Sequence, residues 1–295
     1  MDVILGIGVA GGLGLADFFG GMAGRRTGPV RTVVGAQVVG GVIIGIYLLA
    51  TWQPVGGTRE ILLALLAGGA LTLGVGFMYT GFTLGRMAVV APVTASMIAV
   101  LTFVVGLVRG ERPSTLSLAG VALAIVAVVL ISRPPPARHV SDAPKDPERR
   151  RTTLGGELGL SLAAGASLAT FQTTIGEIGD AAGVAPLLVV RAAAITLSCA
   201  VLLVVWHRAG APRPQPPRRS TVVPVVASGF LLLVAHALLL EALSLGLLSI
   251  VGPITALSPA FTVIPAWLFL NEHISRVQVI GMVTATAGLV LVALG

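Results

Sequence analysis

Two stretches of this sequence decide its fold, because they are copies of one pattern. Residues 91–114 read APVTASMIAVLTFVVGLVRGERPS and residues 252–275 read GPITALSPAFTVIPAWLFLNEHIS, at a constant shift of 161 positions without a gap. Proline, threonine, glutamate and serine recur at matching places, where chance matches are much rarer than for leucine or alanine. The pattern indicates a duplication in which an apolar helix of each copy ends at a glutamate.

The duplication extends well beyond these stretches. The register of 161 continues to Gly120 and Gly281, and a register of 153 pairs Phe18 with Phe171 near the starts of the two copies. We therefore expect two related halves of similar length.

The composition is that of a membrane protein. Hydrophobic residues make up 55% of the chain and charged residues only 11%, against about 25% charged residues in soluble domains. A bilayer-spanning helix needs about 20 apolar residues, and this chain has too many such stretches to be a soluble protein. The predicted fold is an all-α integral membrane protein with ten transmembrane helices. The predicted helices are 3–22, 31–50, 61–79, 87–108 and 115–132 in the first copy, and 155–176, 183–206, 221–240, 247–270 and 277–294 in the second.

The helices form two five-helix repeats, residues 1–132 and 154–295, joined by a charged, proline-rich cytoplasmic connector at 133–153. An odd number of crossings leaves the chain on the opposite side of the membrane, so the second repeat would insert upside down. Inverted repeats are a recurrent transporter architecture, in which a central site lies between halves that open to either side in turn.

Positive charge in short loops reports membrane orientation, and for this reason the net charge of +7 does not indicate nucleic acid binding. With the N-terminus outside, the inner loops hold fifteen Lys and Arg residues and the outer loops hold three, Arg59, Arg109 and Arg112. The count favours both termini outside in a multi-pass protein of the cell membrane. One lysine beside eighteen arginines is typical of a GC-rich bacterial genome.

The sequence offers no motif for covalent chemistry. Cys199 is the only cysteine, which excludes an intrachain disulfide and a cysteine-based metal site. The four histidines lie on separate segments, and no phosphate-binding loop or His-Glu-x-x-His motif is present. We expect no cofactor, no metal and no enzyme activity; an integral-membrane enzyme and a channel or scaffold are the alternatives to a carrier.

The chain resembles the EamA-type transporters of the drug/metabolite transporter superfamily. The resemblance rests on its two five-helix halves, on the closing stretches quoted above, and on Glu111 and Glu272 at the ends of the fourth helices. The resemblance covers nearly the whole length. It implies a secondary transporter that exports or exchanges small metabolites, amino acids or drug-like compounds by alternating access, driven by protons or by exchange. The first helix departs from the family in lacking its common tryptophan. Characterised members mostly keep both termini in the cytoplasm, whereas the charge count here gives the opposite orientation.

Polar side chains within predicted membrane helices are costly and usually face the interior of the bundle. Six of them are candidates for substrate binding or coupling: Asp17, Gln37, Tyr79, Gln172, Arg191 and His236. Each also has a structural alternative. Asp17 can pair with Arg25 or Arg26, and Arg191 can hold a substrate carboxylate or bond backbone carbonyls. His236 can carry a coupled proton or simply bond a neighbouring helix. Gln37 has the same two alternatives as Arg191. Gln172 and Tyr79 can donate hydrogen bonds into a cavity or bond neighbouring helices.

Four residues of the repeated pattern are expected to have structural roles. Glu111 and Glu272 lie at helix ends, where each can accept hydrogen bonds from N–H groups of the following turn. Pro92 and Pro253 are expected to bend or unwind the starts of their helices, which would free carbonyl groups to line a cavity.

Overall fold

The computed structural model describes residues 1–51, 56–84, 87–131, 153–178, 183–209, 219–270 and 275–294, and these residues are almost entirely helical. The helices within these ranges are α1 (Asp2–Thr27), α2 (Pro29–Thr51), α3 (Thr58–Leu84), α4 (Met87–Val108), α5 (Thr115–Ile131), α6 (Leu154–Gly176), α7 (Pro186–Ala209), α8 (Arg219–Leu245), α9 (Leu248–Thr255), α10 (Ser258–Leu270) and α11 (Arg276–Leu294). Each predicted helix has a counterpart among them, and most ends differ by only a few residues.

The surface of the bundle is apolar and part of its interior is polar. Among the described helices, six are long and apolar enough to cross a membrane: α1, α2, α3, α6, α7 and α8. Large apolar side chains such as Leu49 and Val283 are exposed, whereas Gln37, Arg191 and His236 are buried. This distribution reverses that of a soluble protein and suits a multi-pass membrane protein.

The predicted continuous helix over 247–270 is wrong, because the structure divides it into α9 and α10. α9 ends at Thr255, and Pro259 four residues later has no N–H to bond the Thr255 carbonyl. The Leu257 N–H bonds the carbonyl of Ile254 at 3.0 Å, in a tighter turn. The ninth segment is therefore a discontinuous helix, and all eight residues of α9 are buried.

The expected unwinding at Pro92 and Pro253 is also wrong. α4 and α9 are helical through these residues, each of which is the sixth residue of its helix. A proline there removes one N–H donor from the helical ladder, and the surrounding bonds keep the helix intact. The interruption in the second copy comes three residues after Pro253, at Ala256.

The principal helix contacts are unchanged when the helices of the two copies are exchanged. α1 packs on α8, and its counterpart α6 packs on α3. α2 likewise packs on α8, and its counterpart α7 packs on α3. α1 also packs on α9 and α10, as α6 does on α4. The remaining large contacts join a helix to its own counterpart or to part of it: α2 with α7, α4 with α9, and α5 with α11. The contacts of α1 to α5 are therefore related to those of α6 to α11.

Two glycines show this relation at the level of single atoms. A Cβ at Gly68 of α3 would lie 2.5 Å from the carbonyl oxygen of Val190 in α7. A Cβ at Gly229 of α8 would lie 2.6 Å from the carbonyl oxygen of Ala36 in α2. Both glycines let two backbones approach more closely than any larger residue would allow, which is how helices associate in lipid.

Glu111 caps a helix, but not the one expected. Its two carboxylate oxygens accept the N–H groups of Leu248 at 3.0 Å and Ser249 at 2.8 Å, at the start of α9. The Glu111 N–H bonds the Gly106 carbonyl at 3.1 Å, and Gly110 has φ 89°, so α4 ends in a turn that directs the carboxylate across the bundle. The predicted capping of the following turn is therefore wrong, and Glu272 lies outside the described residues.

We expect Gly68→Ala to destabilise the protein by about 1–3 kcal/mol, because the methyl group would force α3 and α7 apart. Gly69→Ala is the matched control, since a Cβ there meets nothing within 4 Å and alanine favours a helix by up to about 1 kcal/mol. Thermal unfolding of both variants in detergent measures the difference. Equal stability of the two variants would contradict the close approach at Gly68.

We expect Glu111→Gln to lower stability by about 0.5–2 kcal/mol, the usual range for loss of a helix cap. An amide keeps only one oxygen for the two N–H groups of α9 and loses the charge that the helix N-terminus stabilises. The comparison is Glu241→Gln, at an exposed residue of α8, measured by thermal unfolding under the same conditions. If both variants unfold at the same temperature, the cap at α9 contributes nothing.

Candidate functional site

Arg191 is the centre of a buried polar cluster where α2, α7 and α8 meet. It lies in α7, and its side chain is fully buried. Its Nη1 donates a hydrogen bond to the Gln37 side-chain oxygen of α2, and its Nη2 donates to Nδ1 of His236 in α8 at 3.0 Å. The structure therefore brings together three of the six residues selected from the sequence.

The hydrogen bonds of the cluster fix the state of the histidine. A guanidinium has only donors, so Nδ1 of His236 accepts and the proton of the neutral ring is on Nε2. Phe171 of α6 packs against the same ring, with the ring centroids 4.7 Å apart. A second proton, on Nδ1, would turn this atom into a donor facing the Nη2 donor of Arg191, and the hydrogen bond between them would break.

The charge of Arg191 has no counter-ion in the part of the chain that the structure describes. No described carboxylate oxygen lies within 4.0 Å of the Arg191 guanidinium, the distance limit for an ion pair. The two groups that accept its hydrogen bonds are neutral. Its Nε atom is buried and has no hydrogen-bond partner among the described residues. A buried cation in a membrane protein is costly unless something compensates it.

Asp17 and Tyr79 lie where α1, α3 and α8 meet. Asp17 is partly buried and interacts electrostatically with Tyr79. A Cβ at Gly20 of α1 would lie 2.5 Å from the Tyr79 hydroxyl and 3.1 Å from Oγ of Ser228. No ion pair of Asp17 with Arg26 occurs among the described atoms, and the Arg25 side chain lies outside them.

Gln172 lies at the interruption of the ninth segment. Its side-chain nitrogen donates to Oγ1 of Thr255, the last residue of α9, at 3.0 Å. The Thr255 hydroxyl in turn bonds the Gly252 carbonyl at 2.8 Å. Because Gln172 follows Phe171, this one turn of α6 contacts both the interruption and the His236 ring.

Sequence reasoning missed Gly40, which lies over the Arg191 side chain. A Cβ at Gly40 would lie 3.1 Å from Nε and 3.2 Å from Cζ of Arg191. The available signal was its spacing of three from Gln37, which puts both on one face of α2. Groups of three or more residues able to hold a metal ion are absent from the described residues.

Comparison with known proteins supports the fold and identifies a family. The model of the EamA-like transporter family matches residues 157–294. A solved structure, described only as the crystal structure of a protein, aligns over 98% of this chain and 95% of its own length, with a TM-score of 0.71 and 18% identity. At that identity the likeness concerns the fold alone, and no curated protein matches the sequence. The family match, over the part of the chain that forms α6 to α11, confirms the resemblance to the EamA-type transporters of the drug/metabolite transporter superfamily.

Proposed function

We propose that the protein is a secondary transporter that moves small molecules across a bacterial cell membrane by alternating access. The family match over residues 157–294 is the observation that carries this proposal. The geometry adds to it, because Arg191 bonds both Gln37 of the first proposed repeat and His236 of its own, at the contact between the repeats. A carrier needs its polar groups there, where access can alternate.

Inverted repeats are one architecture for alternating access, and ion pairs at one face of the bundle support them here. Glu177, just after α6, bonds Arg109 after α4 at 2.9 Å and Arg59 at the start of α3 at 3.3 Å. The end of α6 is therefore on the same side as the start of α3. If each half crosses the membrane five times, α6 of an inverted second repeat starts on the side opposite to the start of α1. It then ends on the side where α3 starts.

Contacts at the start of α1 support the same arrangement. Glu111, two residues from Arg109, caps the start of α9. At the preceding turn, a Cβ at Gly246 would lie 2.5 Å from Cβ of Asp2. The start of α1 and the end of α6 then share one face, as the proposed inversion of the second repeat requires.

The same face gives the orientation of the proposal. Arg59 and Arg109 belong to the three outer positive charges in the loop count, and the inner loops hold fifteen. We infer that this face is extracytoplasmic, with both chain termini outside. The ion pairs join the two repeats there, so they must separate when the protein opens to the outside.

Proton coupling enters the proposal through His236, because protonation of its Nδ1 would break the bond to Arg191 and loosen α7 from α8. The expected substrates are those of the family resemblance, namely metabolites, amino acids or drug-like compounds. A carrier that exchanges one substrate for another would use the same cluster without a net proton.

Proteoliposomes that contain the purified protein should show saturable, counterflow-competent flux of at least one compound from a panel of amino acids, nucleosides and cationic drugs. We expect Asp17→Asn to reduce that flux at least about tenfold, an effect of about 1.4 kcal/mol on the barrier, because it removes the charge near Tyr79. Asp2→Asn, at the start of the same helix, is the control. Measurements with and without a pH gradient test proton coupling.

Two outcomes would count against this assignment. Turnover of a covalent bond without flux would favour a membrane enzyme over a carrier. An unchanged rate in Asp17→Asn, with flux intact, would remove Asp17 from the transport path.

The inverted arrangement has its own test by labelling of single cysteines in a Cys199→Ser background. Leu5→Cys near the start of α1 and Leu158→Cys near the start of α6 should react with a membrane-impermeant thiol reagent from opposite sides. Thr58→Cys, at the start of α3, should react from the same side as Leu5→Cys. Reaction of Leu5→Cys and Leu158→Cys from one side would exclude inverted repeats.

A further inference from the structure

We propose that Arg191 is an anion-binding residue of the transport path and that the substrates are small organic monoanions with a carboxylate group. This inference rests on the proposed transporter function and narrows it to one class of substrate. It depends on a feature that the transporter assignment does not use, namely the uncompensated charge of a fully buried guanidinium.

The donors of Arg191 are only partly used. A guanidinium has five N–H donors, and the described residues occupy one on Nη1 and one on Nη2. Nε is buried without a partner. A ligand with two acceptor oxygens would satisfy these donors and neutralise the charge at the same time.

The chemistry of the site selects a carboxylate. The planar guanidinium fork matches the two oxygens of a carboxylate in a bidentate pair. One cation with two neutral partners, Gln37 and His236, balances one negative charge. A phosphate dianion would carry a second charge that no described group near Arg191 compensates, and this would be costly in the membrane interior.

Gln37 and His236 are positioning residues for this anion site. They hold Nη1 and Nη2 from α2 and α8, so the plane of the guanidinium is fixed before a ligand arrives. Gln37 and Arg191 are equivalent positions of the two repeats, 154 residues apart. Their bond therefore lies at the contact between a helix and its own counterpart, where a site can face either side of the membrane.

Gly40 leaves the Nε edge of the guanidinium uncovered by a side chain. A methyl group at this position would lie 3.1 Å from Nε and 3.2 Å from Cζ. That is close enough to crowd an oxygen bound to Nε, but Arg191 itself would need to shift by only a few tenths of an ångström. Gly40→Ala is therefore a way to obstruct the proposed site while the arginine stays in place.

The acidic residue of the predicted set does not neutralise Arg191. Asp17 interacts electrostatically with Tyr79, whose hydroxyl lies close to Gly20 and Ser228. Ser228 and His236 are eight residues apart on α8, a separation of about 12 Å along a helix. The two charged positions are thus separate sites along the same path.

The test is ligand-dependent thermal stabilisation of the full chain in detergent, with acetate, propionate and benzoate as probes and the corresponding amides as neutral controls. We expect the acids to raise the unfolding temperature and the amides to leave it unchanged. Gly40→Ala should weaken benzoate binding about tenfold or more, the scale of one hydrogen bond to a charged group. Gly45→Ala is its matched control in α2, because the nearest atom to a Cβ there, on Leu188, is 3.9 Å away.

Changes at Arg191 give a second measurement. Arg191→Lys keeps a positive charge but loses the fork, so it should bind benzoate about tenfold more weakly, and Arg191→Gln should abolish the stabilisation. If neither variant folds, the comparison of Gly40→Ala with Gly45→Ala still decides the question. The inference is overturned if amides stabilise the protein as well as acids do, if inorganic phosphate stabilises it more than benzoate does, or if the two glycine variants bind benzoate equally.

Flux measurements separate this inference from the proposed function. Stabilisation by acids without flux of any compound would refute the transporter assignment and leave the anion site standing. Saturable flux of neutral or cationic compounds that is unaffected by Gly40→Ala would refute the anion site and leave the transporter assignment standing.

Discussion

Helices in a bilayer gain little by leaving lipid for one another, so this fold depends on backbones that approach closely at glycine. Gly68 and Gly229 join early helices of the chain to later ones, through α3 with α7 and α2 with α8. Gly120 does the same for the terminal pair, where a Cβ would lie 2.6 Å from the carbonyl oxygen of Gly288. Such contacts hold the two halves together without large side chains, and this leaves room at the contact between them for a polar cluster.

The sequence predicted the helices well because their signal is local: the length of an apolar stretch depends only on neighbouring residues. The division of the ninth segment was also encoded, at Pro259, whose counterpart at a shift of 161 is Ile98. The repeat drew attention to Pro92 and Pro253, which match, whereas the interruption arises at a proline that does not. A duplicated pattern thus predicts the helices that both copies share. It does not predict the positions at which one copy has changed.

The assembly of the site could not be predicted to the same extent. Arg191, Gln37 and His236 were selected one at a time because polar residues are rare in apolar helices, and their mutual bonds depend on how α2, α7 and α8 cross. Glu111 illustrates the same limit. Its capping role followed from its position at a helix end, but the helix that it caps is 137 positions away along the chain.

The polar cluster contains residues at which the two halves of the sequence differ. Phe171 keeps its counterpart Phe18, whereas His236 corresponds to Val75 at a shift of 161. Arg191 likewise faces its own counterpart, Gln37, as a bonded partner. Two identical halves would place a matching charge on each side of the contact, and two guanidinium groups there would repel. In the proposed mechanism, the single charge of Arg191 lies at the contact between two similar halves. Movement of the halves exposes this one group first to one side of the membrane and then to the other, so it serves both access states.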